Sequence, residues 1–137
     1  MSANEPRPVG VSHVSLRVRD LEASRRFYQD VLGFDVERSA PDRYRFWVGA
    51  TRIILRPPLP GTAADDRFSE RRIGLDHLAL AVDGPAALDA VLARLRAAGV
   101  PSEGIQELPQ FGACLVCFRD PDNVQWEFYT DQIEPPR

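Results

Sequence analysis

GVSHVSLRV at residues 10–18 and GLDHLALAV at residues 74–82 are two nine-residue segments with one pattern, present twice in one chain. In both segments the apolar residues alternate with other residues, which predicts a β-strand. Each segment has a histidine at its fourth position, and His13 and His77 are the only two histidines of the chain. The repeated pattern indicates two copies of one structural unit.

The sequence after each of these strands follows the same plan. Asp20 stands where a helix N-cap is expected, and apolar spacing predicts a helix that ends at Gly33. In the second copy a helix is predicted from Pro85 to the residues just before Gly99. Three more strands are predicted in each copy, at 34–38, 43–49 and 51–56 and at 101–107, 113–119 and 123–129. The expected fold is therefore α+β, built from two βαβββ modules.

The length of 137 residues fits one domain, 1–137. We place module one at about 9–56 and module two at about 73–131. The intervening segment, about 57–72, reads PPLPGTAADDRFSERR and has no apolar periodicity, which is typical of a linker. Long loops of this kind often carry function, so the linker could also order over a binding site.

The bulk properties exclude several classes of protein. The chain has no long apolar run and no secretory signal pattern, so we expect a cytoplasmic protein that neither crosses nor binds a membrane. A net charge of −3 argues against a nucleic-acid partner. Cys114 and Cys117 lie in an apolar strand pattern and point to opposite faces, so they are interpreted as structural thiols and not as a redox pair.

Strand parity places three potential metal ligands on the same kind of face. His13 and His77, and Glu127 in the last predicted strand, all lie on the side turned away from the apolar, helix-facing row. Two histidines and one carboxylate are a ligand set for a divalent metal with open coordination positions. The alternative is that each histidine is a hydrogen-bonded or surface residue and that the glutamate is an exposed strand carboxylate.

The same parity gives further candidate site residues. Tyr129 is the candidate for proton transfer, and the candidates for substrate binding are Arg17, Arg45, Trp47, Arg52 and Gln125. The arginines of module one suggest a substrate with a carboxylate or phosphate. The alternative is that they are solvated arginines at strand ends.

Three segments resemble the vicinal oxygen chelate superfamily, and with their repeat they cover nearly the whole chain: VSHVSLRVRDLEASRRFYQDVLGF, GLDHLALAV and FRDPDNVQWEFYTD. This superfamily includes glyoxalase I, bleomycin-resistance proteins, fosfomycin-resistance thiol transferases, methylmalonyl-CoA epimerase and type I extradiol dioxygenases. The resemblance implies two βαβββ modules that form an incomplete barrel around a metal, usually within a homodimer. It also implies that His13, His77 and Glu127 bind a divalent metal ion; iron(II) or manganese(II) is favoured, with nickel or zinc as alternatives.

Departures from individual members narrow the expected activity. Glyoxalase I takes a fourth ligand, a glutamate, from a place that Ile54 occupies here by parity, and no acid lies in residues 51–60. Extradiol dioxygenases keep three protein ligands, and the ligand set expected here has the same number. They also use a further histidine for acid–base chemistry, and this chain has no third histidine. Cys117 stands where their tyrosine is expected, and Tyr129 is a partial substitute.

We therefore expect a metal-dependent enzyme, dioxygenase-like, that acts on a small, oxygen-chelating, anionic substrate. The alternatives are a glyoxalase-like lyase or isomerase and a non-catalytic protein that binds an antibiotic. The sequence leaves open whether the ligands come from one chain or from two chains of a homodimer.

Overall fold

Two four-stranded sheets, each with one main helix, make up the computed structural model, which describes residues 5–134 and residue 136. The first half contains β1 (His13–Arg17), α1 (Leu21–Arg26), which continues as a π-helical turn (Phe27–Val31), β2 (Glu37–Ala40), β3 (Arg43–Val48) and β4 (Thr51–Arg56). The second half contains β5 (Leu78–Ala81), α2 (Pro85–Ala97), β6 (Ile105–Leu108), a 3₁₀ turn (Pro109–Phe111), β7 (Ala113–Arg119) and β8 (Gln125–Thr130).

The two sheets have the same topology. Their strand orders are β1-β4-β3-β2 and β5-β8-β7-β6. In each sheet the first strand runs parallel to the last strand of its half, and the remaining pairs are antiparallel. The prediction of an α+β fold with two βαβββ units is confirmed.

Local signals in the sequence explain where the helices begin and end. The Asp20 side chain accepts a hydrogen bond from the backbone N–H of Ala23 at 3.0 Å, which caps α1. Pro85 is the first residue of α2, where its missing N–H costs nothing. Gly33 follows the first helix with a φ of +84°, a conformation that favours glycine.

The second strand was predicted too early, at 34–38, whereas β2 covers Glu37–Ala40. The backbone N–H of Phe34 donates to the carbonyl of Tyr28 at 3.0 Å, so Phe34 belongs to the end of the helix. Its ring stacks on Phe46 with centroids 4.4 Å apart. Likewise, β6 starts at Ile105 and not at residue 101, directly after Gly104, which has a φ of +87°.

Residues 57–72, predicted as the linker, contain no helix and no strand, and the boundaries of the single domain stay a prediction. None of the described helices combines the length and the apolar character needed to span a lipid bilayer.

The helix-facing rows of both sheets meet in one hydrophobic core. Tyr28 lies between the sheets: its ring stacks on Phe46 of β3 at 5.0 Å and meets Trp126 of β8 edge-on at 5.7 Å. Apolar residues of the same core come from β1 and β8, such as Leu16 and Phe128. Each sheet uses one face for this core, so the rows that carry His13 and Glu127 lie on the faces turned away from it, which we call the open faces.

A buried turn between β7 and β8 fastens the two halves together. The Tyr28 hydroxyl donates to Asp120 Oδ2 at 2.5 Å, and Asp120 Oδ1 accepts from the backbone N–H groups of Asp122 and Val124, both at 2.9 Å. Asp122 Oδ1 in turn accepts from the backbone N–H of Arg19, just after β1, at 2.9 Å. Burial raises the pKa of the Asp120 carboxyl, and the hydrogen bonds from Tyr28 and Val124 oppose that rise.

Replacing Tyr28 by phenylalanine should lower the free energy of unfolding by about 2 kcal/mol, because a buried carboxylate loses one of its donors. The matched control is Tyr44→Phe, since the Tyr44 hydroxyl bonds to Glu22 at a half-exposed site and its loss should cost below ~1 kcal/mol. Urea unfolding followed by far-UV circular dichroism measures both. Equal losses for the two variants would contradict the special role of the Tyr28–Asp120 bond.

Candidate functional site

The open face of the second sheet brings together two of the three predicted ligands. His77 Nε2 lies 3.5 Å from Glu127 Oε2, and the Glu127 side chain is 12% exposed. Ala79 pairs with Glu127 across the sheet, so a small side chain stands beside the pair and leaves space above it. The second sheet therefore holds a histidine–carboxylate pair on its open face.

Asp76 fixes the orientation of the His77 ring. Asp76 Oδ1 lies 2.7 Å from His77 Nδ1. An ionised carboxylate can only accept, so Nδ1 carries the hydrogen, and a ring without a second hydrogen presents a lone pair at Nε2. That lone pair faces the Glu127 carboxylate, and two acceptors at this distance attract one another only through a proton or a cation between them. This donor set, one imidazole nitrogen and one carboxylate, fits a divalent transition metal.

The ring of His13, on the open face of the first sheet, also contacts the side chain of the residue before it. Ser12 Oγ lies 3.1 Å from His13 Nδ1, and Arg52 Nη2 donates to the same Oγ at 3.0 Å. The Arg52 guanidinium lies 5.8 Å from the centre of the Trp47 ring, and the register places His13, Arg52 and Trp47 in one row across three strands. The exposed His13 ring thus has a hydrogen-bond partner on Nδ1, while Nε2 has none among the described residues.

The structure does not bring His13 to the His77–Glu127 pair within one chain. Within residues 5–134 and 136, no three histidine, cysteine, aspartate or glutamate side chains are placed so that they could hold one metal ion. His13 and Glu127 lie on two different sheets, in rows that face away from the shared core. The use of the three residues as ligands of one metal stays a prediction.

The predicted substrate-binding and proton-transfer residues are divided between the two open faces. Tyr129 lies on the face of Glu127, two residues further along β8, and is half-buried. Gln125 lies on the same face, and its Oε1 accepts from Arg119 Nη2 at 3.1 Å. On the first sheet, Arg45 forms an ion pair with Glu37 at 2.7 Å, so its charge is already compensated.

Arg17 lies at the far end of β1 from His13. Its Nη1 donates to the carbonyl of Pro57 at 2.9 Å. It also lines a cavity of about 460 Å³ between β1, the linker and the turn before β8. Arg17 is therefore placed with the linker and not in the row of His13.

The two cysteines point to opposite faces of β7, as the strand pattern predicts. Cys114 packs against the core, whereas Cys117 pairs with Glu127 across the open face. Both are free thiols and only partly buried. Burial and the neighbouring Glu127 carboxylate raise the pKa of the Cys117 thiol, so it resists forming a thiolate.

Asp76 and Ser12 are functional candidates that strand parity missed. Each precedes its histidine directly, and neighbours in a regular strand point to opposite faces. The regular strands start at His13 and at Leu78, so Ser12 and Asp76 lie before them and can turn back onto the histidine ring. A polar residue directly before each histidine was the signal available in the sequence.

The fold and the site define a protein of two βαβββ units whose open faces carry histidines and a glutamate. The family model described as Glyoxalase/Bleomycin resistance protein/Dioxygenase superfamily matches residues 10–128. The chain therefore belongs to that superfamily.

Individual relatives agree with this assignment. The uncharacterized protein YaeR of Escherichia coli (strain K12) is 31% identical over 131 residues, and the match covers 87% of this chain and 94% of YaeR. A crystal structure of a glyoxylase/bleomycin resistance protein/dioxygenase domain from Frankia sp. EAN1pec is 37% identical, with a TM-score of 0.78 and coverage of 92% of this chain and 100% of that one. The crystal structure of a lactoylglutathione lyase from Agrobacterium tumefaciens is 26% identical, with a TM-score of 0.71, and the match covers 90% of this chain and 95% of that one.

Arg119 contacts both Gln125 and Glu70 of the linker, and its contact with Glu70 predicts that the stability of the protein depends on pH. Arg119 donates to both carboxylate oxygens of Glu70, at 2.7 and 3.0 Å. These hydrogen bonds lower the pKa of the Glu70 carboxyl to about 2 from its ordinary value of 4.5. A lowered carboxyl pKa adds stability above the unfolded pKa, and that stability is lost as the pH falls through the folded pKa.

We expect Glu70→Gln to remove part of the stability loss between pH 4.5 and about 2 while leaving the slope above pH 5 unchanged. Thermal unfolding at a series of pH values measures this, with Glu103→Gln as the control because Glu103 is an exposed acid whose one hydrogen-bond partner among the described residues is the neutral Gln106. Identical pH profiles for wild type and Glu70→Gln would contradict the prediction.

Proposed function

We propose that this protein is a divalent-metal-dependent enzyme that acts on a small, anionic substrate with two adjacent oxygens, and that its site forms between two copies of the chain. The observation that carries the proposal is the His77–Glu127 pair, in which Asp76 contacts Nδ1 of His77 and the other ring nitrogen, Nε2, faces the carboxylate. His13 of one copy would complete the ligand set with His77 and Glu127 of the other.

Two features of the chain support such a dimer. In the described part of the chain β1 and β5 are edge strands, each paired on one side only. Unpaired strand edges are templates for pairing with another chain. A two-fold dimer uses the same surfaces twice, so the open face of β1 in one copy would meet that of β5 in the other, and each dimer would contain two equivalent sites.

The residues around the ligands suggest how a substrate would be held. A divalent cation bound by two imidazoles and a carboxylate supplies Lewis-acid chemistry to two adjacent substrate oxygens. Arg52, fixed by Ser12 and Trp47, is the cation beside His13 and suits a carboxylate or phosphate on the substrate. The ion pair of Arg45 with Glu37 makes Arg45 a weaker candidate for that contact.

Tyr129 is the candidate for moving a proton. It shares the open face with Glu127, and its phenol can donate and accept. Gln125 on the same face, held by Arg119, would orient the substrate through its amide N–H.

Three protein ligands favour a dioxygenase-like activity, because they leave more open positions than a four-ligand site. Ile54 occupies the open-face position on β4 beside Ser15 and Arg45, and it cannot bind a metal. The alternative is a glyoxalase-like lyase or isomerase, and the 26% identity to a lactoylglutathione lyase favours it. A non-catalytic binding protein is the further alternative, but capture of an apolar drug has no need for a histidine and a carboxylate facing one another.

Mixing two inactive variants tests the shared site directly. His13→Ala and Glu127→Ala should each lose metal binding, but after subunit exchange about a quarter of the sites should be intact, because one site of each mixed dimer keeps all three ligands. Metal content by elemental analysis after gel filtration, with the dimer mass from light scattering, measures this. Iron or manganese with substrate-dependent oxygen uptake would favour the dioxygenase, and nickel or zinc without oxygen uptake the lyase or isomerase.

The control mixture is His77→Ala with Glu127→Ala. Both ligands lie on the second sheet, so neither site of a mixed dimer is intact and no metal binding should return. Metal retained by each single variant, or recovered equally in both mixtures, would contradict the shared site. A wild-type protein that cannot be loaded with any first-row divalent metal would overturn the proposed function and leave the drug-binding alternative.

Asp76→Asn should weaken metal binding about 10- to 100-fold, because the amide no longer secures the hydrogen on His77 Nδ1. Competition with a chromogenic chelator measures the affinity. Asp83→Asn is the matched control, since it removes the same charge from an exposed residue just beyond β5. Equal affinities for the two variants would show that Asp76 has no positioning role.

A further inference from the structure

We propose that the cavity beneath the linker, which we call the linker cavity, binds an amphipathic organic anion: an apolar body with a carboxylate or phosphate head group. Its volume of about 460 Å³ falls in the range of small-molecule sites. None of His13, His77 and Glu127 lines it. The proposal therefore does not depend on the metal site.

The charge of the linker cavity is opposite to that of the whole chain. Four arginines line it, against two aspartates, whereas the chain has a net charge of −3. Both aspartates already have partners: Asp122 accepts from the backbone of Arg19, and Asp66 lies 3.9 Å from Arg72. A local excess of positive charge on an acidic protein attracts anions.

Arg67 is the arginine that is available to a ligand. Arg19 donates to the carbonyl of Asp66, and Arg17 donates to the carbonyl of Pro57. Arg67, by contrast, makes no hydrogen bond and no ion pair with any residue in the described ranges. Its exposed guanidinium can give paired N–H donors to a carboxylate or phosphate without breaking an internal contact.

The remaining walls are apolar and suit a hydrocarbon or aromatic body. Leu59, Ile73 and Leu75 are exposed at the rim, with Ile73 fully so at 106%, and Phe68 lies deeper. Exposed apolar side chains of this size in one place are typical of a binding site. Burial of an apolar body against them would add to the attraction of the head group.

The linker is held in place, so the linker cavity exists before a ligand binds. The backbone N–H of Phe68 donates to the carbonyl of Asp122 at 3.0 Å, and Asn123 Nδ2 donates to the carbonyl of Phe68 at 2.9 Å. The Glu70–Arg119 ion pair fixes the following residues to β7. A preformed site loses less conformational entropy on binding.

The test is a nuclear magnetic resonance titration of ¹⁵N-labelled, metal-free protein with sodium octanoate, in the oligomeric state that light scattering shows for the sample. We expect saturable shifts at backbone amides of residues 15–19 and 62–75. Arg67→Ala should weaken octanoate binding about tenfold, whereas Arg26→Ala, an exposed helix arginine outside the cavity, should leave it unchanged. Octanol should bind at least about tenfold more weakly than octanoate, and acetate should give no saturable shift, because each lacks one half of the proposed ligand.

Ala64→Trp is a second variant that fills the linker cavity without removing a core side chain, since Ala64 is exposed at the cavity wall. It should abolish the octanoate shifts and leave the dispersion of the spectrum intact. Equal affinity for octanol and octanoate, an unchanged affinity in Arg67→Ala, or shifts centred on His77 and Glu127 would overturn the proposal. The absence of saturable shifts would also overturn it.

Discussion

The arrangement of the molecule depends on one buried carboxylate, Asp120. A charged group in an apolar core is costly unless its oxygens are hydrogen-bonded, and here Tyr28 and two backbone N–H groups satisfy them. These donors come from the first helix and from the turn itself, so the bond can form only when the two halves pack face to face. Asp122 repeats the connection by accepting from Arg19 at the end of β1. The turn therefore fixes which faces of the two sheets are buried, and with them which faces are left open.

In the proposed site, the ligands would come from two different faces of the chain. On one open face, Asp76 orients His77 toward Glu127, and on the other, Ser12 and Arg52 hold His13. Hydrogen bonds of this kind orient the rings of metal-binding histidines, and this supports the proposed roles of His13 and His77. Because the two parts lie on different sheets, the proposed site would form when a second copy associates with the open edges of β1 and β5.

Much of this could be predicted from the sequence, because its strongest signals are local. The alternation of residues in Thr51–Arg56 and Ala113–Arg119 gave the bounds of β4 and β7 and the faces of their side chains. The position of β2 could not be predicted, since Phe34 is apolar in either register and its place is decided by a bond to Tyr28 across the helix end. The alternation of residues along a strand also cannot predict whether the His13 face of the first sheet meets the Glu127 face of the second sheet. That depends on how the two sheets pack, and the contacts of Asp120 contribute to this packing.

The arginines are a second feature whose role could not be predicted from the sequence. The sequence shows many arginines in an acidic chain, but it does not show which of them have partners. Arg45 and Arg119 are neutralised by Glu37 and Glu70, and such pairs are structural contacts. Arg67 has no such partner among the described residues and stands beside apolar side chains, in a cavity whose other walls are held by hydrogen bonds to the Asp120 turn. The proposed attraction for an anion rests on that local imbalance of charge and not on the number of arginines in the chain. The linker has no apolar periodicity in its sequence, so its part in this cavity became visible only in the structure.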